Sequence, residues 1–235
     1  MNFYLLIIKS TGVYMKNNDL GNLDINTVLI KHYEKCYQEF GVNPKASEWS
    51  DPNHLQLRYL TMMKIIKDAN IPVSILDVGC GFGFLLDFLI EKGFNIKNYV
   101  GIDVAPSVLD AAKKRHPGFN FINSDINDPD LELPCFDYVL TNGMFNLKLN
   151  INSDYMSNFF YKTINNMFRF CNVGIAFNVM STHVNFKNDN LFYQDPVSVL
   201  SYCLKEMSRF TCLHHDYPLY EYFTFVYKPL DMLQK

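Results

Sequence analysis

The amino-acid sequence predicts an α/β fold, a doubly wound and mostly parallel sheet of seven strands with an antiparallel last strand. Two observations predict it. After Pro72, short apolar runs alternate with stretches of helical periodicity, and the last two extended runs follow each other closely. Alternating strands and helices favour parallel strands joined by right-handed crossovers. A connection too short for a helix makes the last strand antiparallel to its neighbour.

Two amphipathic helices are expected before the sheet. Apolar residues recur at helical spacing over residues 24–40, which predicts the first helix. The second is predicted from Ser50 or Asp51, either of which can cap it, to near Asn70. The loop between the two helices carries the only tryptophan, Trp49.

The elements after Pro72 follow in order from the change of period and from glycine and proline signals. Strands are predicted at residues 73–79, 98–104, 119–126, 136–143, 172–179, 210–217 and 221–228. Helices are predicted at residues 84–93, 105–115, 155–170 and 195–209.

Length and composition limit the function. The 235 residues, 49% of them hydrophobic, suffice for one well-buried core. The net charge is -3 and the basic residues are scattered along the chain. They form no basic stripe that could bind a phosphate backbone, so nucleic acid is not an expected partner. Six widely spaced cysteines without a CxxC or Cys/His cluster indicate reduced thiols in a cytoplasmic protein and no metal site.

The N-terminus is expected to be neither a membrane anchor nor a signal peptide. Its apolar run covers six residues, against about 20 for a membrane span, and no membrane partner is expected. Met15 is an alternative translation start. We therefore divide the chain into a flexible extension at residues 1–15, a helical segment at 16–70 and a core at 71–235.

The stretch ILDVGCGFG, residues 75–83, places three glycines behind an acid that closes an apolar run. A triphosphate-binding loop would end in Gly-Lys-Ser/Thr, whereas Gly83 is followed by Phe84 and Leu85. The dinucleotide fingerprint needs glycine where Phe84 stands, which disfavours a dehydrogenase.

The spacing of Gly79, Gly81 and Gly83 behind Asp77 instead resembles motif I of the Rossmann-like S-adenosylmethionine (SAM) methyltransferases. The resemblance implies that SAM is the cofactor and S-adenosylhomocysteine the product. It also implies that the glycine backbone lets the nucleoside of SAM lie close over the turn. Asp77 would contribute negative charge near the cationic end of SAM.

Further motifs of this family follow in order along the chain. Asp103 ends the second predicted strand, where the resemblance implies that an acid binds both ribose hydroxyls. Asp125 and Ile126 follow the third strand, and the resemblance implies contact with the adenine amino group and ring. Asn142 lies at the corner of the fourth motif and is assigned to the cofactor in the same way.

The fourth motif lacks the Asp/Asn-Pro-Pro-aromatic pattern of enzymes that methylate nucleobase or glutamine nitrogens. The region around residues 142–146 is more similar to small-molecule methyltransferases, including those of bacterial surface-polysaccharide pathways. In such relatives the segment before the first strand forms an N-terminal helical lid. Trp49, Gln56 and Arg58 could then reach the SAM carboxylate. The alternative is that His54 and Arg58 form a solvated helix face.

The sequence therefore predicts a SAM-dependent methyltransferase for a small polar metabolite. An oxygen acceptor is expected on a sugar, a nucleotide-linked sugar or a phosphate-bearing intermediate of capsule polysaccharide biosynthesis. A hydroxyl acceptor needs a base, for which His183, or His215 with Asp216, are the candidates. The alternatives are an N-methyltransferase acting on an amine and a SAM-binding protein without catalysis, and the oligomeric state stays open.

Overall fold

The computed structural model describes residues 24–49 and 51–229, where helices and strands alternate in the predicted order. The helices are α1 (Ile25–Phe40), α2 (Pro52–Met62), α3 (Phe84–Glu91), α4 (Pro106–Arg115), α5 (Ser153–Arg169) and α6 (Pro196–Tyr202). The strands are β1 (Val73–Val78), β2 (Ile96–Asp103), β3 (Asn120–Asn123), β4 (Phe136–Leu140), β5 (Cys171–Ser181), β6 (Tyr193–Gln194), β7 (Thr211–His214) and β8 (Glu221–Tyr227). The predicted extension at residues 1–15, with Met15, lies outside the described residues.

One sheet contains these strands in the order β3-β2-β1-β4-β5-β8-β7. Strands β1 to β5 are parallel, whereas β8 runs antiparallel to both β5 and β7. This confirms the mostly parallel sheet with an antiparallel last strand. The prediction did not include β6, whose two residues pair with Met180 and Ser181, beyond the part of β5 that pairs with β4.

Both faces of the sheet are covered by helices. Successive strand residues point to opposite sides, so one strand contributes to the packing on both faces. From β1, Leu76 and Val78 join an apolar cluster that contains residues of α5, and Val73 and Ile75 join a second cluster with residues of α3. Within the described residues, no helix is long and apolar enough to cross a membrane.

Helix α2 ends earlier than predicted. It ends at Met62 and a short 3-10 turn follows over Met63–Ile65, so the predicted end near Asn70 is wrong. Beyond the 3-10 turn, Asp68 Oδ1 accepts a hydrogen bond from the Asn70 backbone N–H at 2.9 Å and closes a separate turn, so no helix extends to Asn70.

The strand order reverses at β1. The chain continues from β1 to β2 and β3 on one side, and then to β4 and β5 on the other. In open parallel sheets, ligands bind beyond the carboxyl ends of the strands at such a point. Helix α1 lies nearby, since Ile25 and Leu29 share an apolar cluster with Ile102 of β2 and with Ile126.

Candidate active site

The turn between β1 and α3 forms the floor of a cavity. Gly79, Gly81 and Gly83 have φ angles of 71°, 52° and 76°, which side-chain-bearing residues rarely adopt. Gly79 and Gly81 line the cavity, whereas Gly83 is not among its lining residues. A Cβ atom at Gly83 would lie 3.0 Å from His116 Cδ2, so this glycine permits close packing behind the turn.

Asp103 connects the glycine turn to the end of β2. Its Oδ2 accepts the Gly81 backbone N–H and its Oδ1 accepts the Ala105 N–H, both at 2.9 Å. Burial raises the pKa of Asp103, and these backbone bonds oppose the rise. The side chain lines the cavity, and each carboxylate oxygen has a second lone pair that can accept a hydroxyl.

Asp125 and Ile126 line the same cavity after β3. Asp125 Oδ1 accepts the Asn127 N–H at 2.8 Å, and Oδ2 accepts the side-chain amide of Asn26 at 2.7 Å. The contact joins α1 to the loop after β3, and its donor is an amide N–H of Asn26. Sequence reasoning missed Asn26, although it lies on α1 between the buried Ile25 and Leu29.

Asp77 lies beneath the cavity and not among its lining residues. The side chain is buried, and its Oδ2 accepts the Tyr99 hydroxyl at 2.7 Å. Burial raises the pKa of Asp77 to about 7, with a smaller contribution from Asp103, while the Tyr99 hydrogen bond opposes the rise. Any influence of Asp77 on a cation in the cavity is therefore electrostatic and depends on pH.

The corner after β4 forms the opposite wall. Asn142, Gly143 and Met144 line the cavity. The buried Asn178 side chain fixes the corner, since its Oδ1 accepts the Gly143 N–H at 2.8 Å. Asn142 Oδ1 is buried and has no hydrogen-bond partner among the described residues, which suits a donor group of a bound molecule.

Trp49 lines the cavity from the segment between α1 and α2. Its indole ring lies against Gly143, where a Cβ atom would come within 2.6 Å of Trp49 Cη2. The Arg58 guanidinium lies 4.3 Å from the indole centroid, a cation–π distance. Gln56 is exposed on α2, and neither Gln56 nor Arg58 lines the cavity.

Arg58 instead belongs to a buried polar group at the carboxyl edge of the sheet. We call this group the carboxyl-edge cluster and define it as Arg58, Asn146, Tyr217 and Glu221. Arg58 Nε donates to Glu221 Oε1 at 2.6 Å, and Asn146 Nδ2 donates to Glu221 Oε2 at 3.0 Å. Glu221 is fully buried. The pKa of Tyr217 is raised, mainly by burial and then by the charge of Glu221, so Tyr217 keeps its phenolic proton.

The candidate bases lie after the carboxyl ends of β5 and β7 and are absent from the cavity lining. His183 is 69% exposed and its Nε2 lies 3.7 Å from Asp195 Oδ1. His215 lies with its ring 5.9 Å from that of Tyr222, and its pKa is lowered by burial and by the charge of His183. Asp216 is 68% exposed and faces His214 and Lys64 at 3.7 Å and 4.0 Å.

The cavity has hydrogen-bond acceptors for several groups of SAM. Carboxylates follow β2 and β3, a glycine turn provides free space, and an unpartnered amide oxygen follows β4. A nucleoside with two vicinal hydroxyls, an amino group and an ammonium group would find an acceptor at Asp103, Asp125 and Asn142 respectively. The residues present therefore fit the cofactor that the glycine motif indicates.

Comparison with known proteins also points to a methyltransferase. Residues 75–162 match a family described as "Methyltransferase domain". The chain is 33% identical over 172 residues to Rv1506c of Mycobacterium tuberculosis (strain ATCC 25618 / H37Rv), a protein named as a methyltransferase; the match covers 71% of this chain and 99% of the relative.

Solved structures show the same fold at low sequence identity. The magnesium protoporphyrin IX methyltransferase ChlM from Synechocystis PCC 6803, crystallised with SAM, superposes with a TM-score of 0.59 at 12% identity, covering 89% of this chain and 99% of ChlM. The N-methyltransferase NodS from Bradyrhizobium japonicum WM9 superposes with a TM-score of 0.51 at 15% identity, covering 77% and 99%. Together with the motif order and the cavity, these matches show that the chain belongs to the class I SAM-dependent methyltransferases.

Proposed function

We propose that this methyltransferase transfers the methyl group of SAM to an oxygen atom of a small polar metabolite. The observation that carries the proposal is a set of buried polar atoms at the carboxyl edge without hydrogen-bond partners among the described residues: Asn146 Oδ1, Asn178 Nδ2 and Tyr217 Oη. An unpartnered buried polar atom costs about 1–3 kcal/mol. None of the three residues lines the cavity, so an acceptor with several hydroxyl groups would recover this free energy only by extending beyond the cavity to these atoms.

The cofactor sites proposed above follow from the cavity. Gly79 and Gly81 approach the nucleoside, Asp103 binds the ribose, and Asp125 with Ile126 holds the adenine. Asn142 and Trp49 lie at the amino-acid end of SAM. Arg58 pairs with Glu221, which supports a role for Arg58 in shaping the side of the site where the acceptor binds. Asp77 and Gly83 support the turn from below, and Gln56 has no observed contact that favours a binding role.

The acceptor hydroxyl must lose a proton as its oxygen forms the new bond to the methyl carbon and the carbon–sulfur bond breaks. SAM supplies a methyl group that is already activated by the sulfonium charge. We assign the proton to His215, because burial and the charge of His183 lower its pKa and so favour the neutral imidazole that can accept a proton. His183 is the second candidate. Asp216 lies 3.7 Å from His214 and would act through the charge that it places beside His214 and His215.

For the acceptor we propose a sugar, a nucleotide-linked sugar or a phosphate-bearing intermediate of surface-polysaccharide biosynthesis in the cytoplasm. Two features support this class: the sequence of the β4 corner, and the mixture of donors and acceptors in the carboxyl-edge cluster, which matches hydroxyl groups. The net charge of -3 supports a small molecule over nucleic acid.

The proposal is tested by incubating the protein with methyl-labelled SAM and a panel of sugars, nucleotide sugars and amines, followed by mass spectrometry of the products. A methyl ether or ester is expected. A methylated amine would replace the proposal by N-methylation, and tight SAM binding without turnover on any acceptor would favour a non-catalytic SAM-binding protein.

A matched pair of variants tests the base. His215→Gln should lower kcat by about 10²-fold or more, the range for general base catalysis, with unchanged affinity for SAM. His54→Gln alters a partly exposed histidine of α2 that contacts Asp51 and should leave kcat unchanged. An unchanged kcat in His215→Gln would move the assignment to His183.

A further inference from the structure

Three potential metal ligands meet at the edge of the lid, outside the site described above. His32 and Cys36 lie one turn apart on α1, and Glu48 follows the 3-10 turn Pro44–Ser47. His32 Nε2 lies 2.9 Å from Glu48 Oε1 and 3.6 Å from Cys36 Sγ, and Cys36 Sγ lies 3.9 Å from Glu48 Oε1. Within residues 24–49 and 51–229, this is the one group of three such side chains whose ligand atoms approach so closely.

The three distances resemble the edges of a tetrahedral zinc site. With Zn–S of about 2.3 Å and Zn–N and Zn–O of about 2.0–2.1 Å, tetrahedral angles place sulfur about 3.6 Å from nitrogen, and nitrogen about 3.3 Å from oxygen. The sulfur–oxygen edge would be about 3.5 Å. Each observed distance is within about 0.4 Å of these values, which small side-chain rotations can supply.

The chemistry of the donors selects the class of ion. One imidazole nitrogen, one thiolate and one carboxylate oxygen favour Zn²⁺ over Mg²⁺ or Ca²⁺, which prefer oxygen ligands alone. Binding releases the proton of the Cys36 thiol and the proton held by the His32 imidazole. The resulting thiolate and the Glu48 carboxylate, with a neutral imidazole, carry two negative charges, which match a divalent cation. Cys36 is buried, whereas the side chains of His32 and Glu48 are 20% and 22% exposed, so an ion can enter from solvent.

We propose that His32, Cys36 and Glu48 bind one Zn²⁺ ion, which ties α1 to the segment that carries Trp49. The fourth coordination position is open to a water molecule, as three protein ligands leave it free. Glu48 directly precedes Trp49, and Ser47 and Trp49 line the cofactor cavity. The bound ion therefore stabilises the part of the lid that bounds the cavity. The sequence predicts no metal site, because its cysteines are widely spaced without a CxxC or Cys/His cluster. Glu48 lies 12 residues beyond Cys36 and belongs to another element.

The test uses the full chain, freed of metal by a chelator and titrated with ZnCl₂ or CoCl₂. One equivalent of Zn²⁺ should bind and raise Tm, because an ion that binds only the folded state stabilises it. Co²⁺ should give a thiolate-to-cobalt charge-transfer absorption, and Zn²⁺ should change the fluorescence of Trp49. None of these measurements requires methyl transfer, so they stand apart from the proposed activity.

Variants locate the ion. Cys36→Ser and Glu48→Gln should each lower the affinity for Zn²⁺ by about 100-fold or more, since even outer-shell partners of a metal cost about 10–100-fold. The matched control is Cys212→Ser, because Cys212 Sγ lies 3.6 Å from His214 Nε2, the same separation as in the proposed site. This control should bind like the wild type.

Three outcomes would overturn the proposal. The first is the absence of stoichiometric Zn²⁺ binding by the wild type, which would leave His32 and Glu48 as an ordinary ion pair. The second is unchanged Zn²⁺ affinity in both Cys36→Ser and Glu48→Gln. The third is loss of binding in Cys212→Ser alone, which would place the ion on β7.

Discussion

The indole ring of Trp49 lies directly against the backbone of Gly143, so that a side chain at Gly143 could not coexist with the ring in this position. The contact joins the segment between α1 and α2 to the corner after β4, and both residues line the cavity. Because Trp49 is the only tryptophan, the tryptophan fluorescence of the protein comes from this one ring.

Gly143→Ala should displace Trp49 and lower the affinity for SAM about tenfold or more. A Cβ atom would overlap the indole ring, and φ at Gly143 is 83°, where a side chain costs about 1–2 kcal/mol. The measurements are the emission spectrum of Trp49 and calorimetric titration with SAM. Gly93→Ala is the control, since Gly93 has φ 72° but no atom within 4 Å of the added Cβ. Equal SAM affinity in the two variants would argue against the role of Trp49.

Asp103→Ala should weaken SAM binding by about 1.5–3 kcal/mol, roughly tenfold to a hundredfold, as expected when a carboxylate loses its hydrogen bonds. Calorimetry measures the affinity, and the melting temperature shows whether the fold persists. Asp110→Ala, on the exposed side of α4 where Asp110 faces Lys113, should bind SAM like the wild type. Unchanged affinity in Asp103→Ala would refute the ribose assignment.

Arg58 and Glu221 should be energetically coupled. Removing one member of a buried ion pair leaves the other charge unpaired and costs about 3–5 kcal/mol, whereas replacing both by apolar residues costs less. We therefore expect Arg58→Met and Glu221→Leu to lower the free energy of unfolding strongly, and the double variant to be more stable than the two single losses predict. Chemical denaturation measures all three.

The exposed pair Lys92–Glu91 is the control for this cycle, with a coupling expected below about 1 kcal/mol. Additive losses for Arg58 and Glu221 would contradict the pairing. They would also reopen the prediction that Arg58 reaches the SAM carboxylate.

The raised pKa of Asp77 should make the free energy of unfolding fall as pH rises. Its pKa is raised from 3.8 to about 7 in the folded protein, so the folded state holds more protons than the unfolded state between these values. The contribution of Asp77 is fully present below pH 3.8 and is lost as pH rises through about 7. The whole shift corresponds to about 4 kcal/mol. Asp77→Asn should therefore gain stability relative to wild type between pH 5 and 8.

Asp137 provides a control of opposite sign for this measurement. Hydrogen bonds from Lys97 and Ser74 lower its pKa against the opposing effect of burial. Its contribution is present above the unfolded pKa and is lost in acid, so the difference between Asp137→Asn and wild type should stay constant between pH 5 and 8. A constant difference for Asp77→Asn as well would contradict the raised pKa.

Much of the fold and the nature of the cofactor could be predicted from local patterns. The change from helical to strand periodicity after Pro72 predicted the alternating elements, and the close spacing of the last two runs predicted the antiparallel β8. The spacing of the glycines at 79, 81 and 83 behind Asp77 predicts SAM through its resemblance to motif I of the methyltransferases, and all three glycines have positive φ angles in the turn.

Contacts between distant residues could not be predicted in this way. The partner of Arg58 is Glu221, 163 positions later, and the partner of Asp125 is Asn26, 99 positions earlier. The sequence predicts Arg58 near the SAM carboxylate. No local pattern in the sequence indicates that a buried glutamate on β8 pairs with this arginine. In the same way, His32 and Cys36 share a helix face that can be recognised, but only the 3-10 turn brings Glu48 beside them.

The sequence alone thus determined the order of strands and helices, the antiparallel ending and the glycine turn for SAM. Periodicity and backbone angles depend on residues close together in the chain, and such patterns can be recognised in the sequence itself. Only the tertiary structure decided which residues meet: Trp49 with Gly143, Arg58 with Glu221, and Glu48 with His32 and Cys36. Those pairings depend on how whole elements pack, because side chains far apart along the chain become neighbours only after the sheet and its helices have assembled.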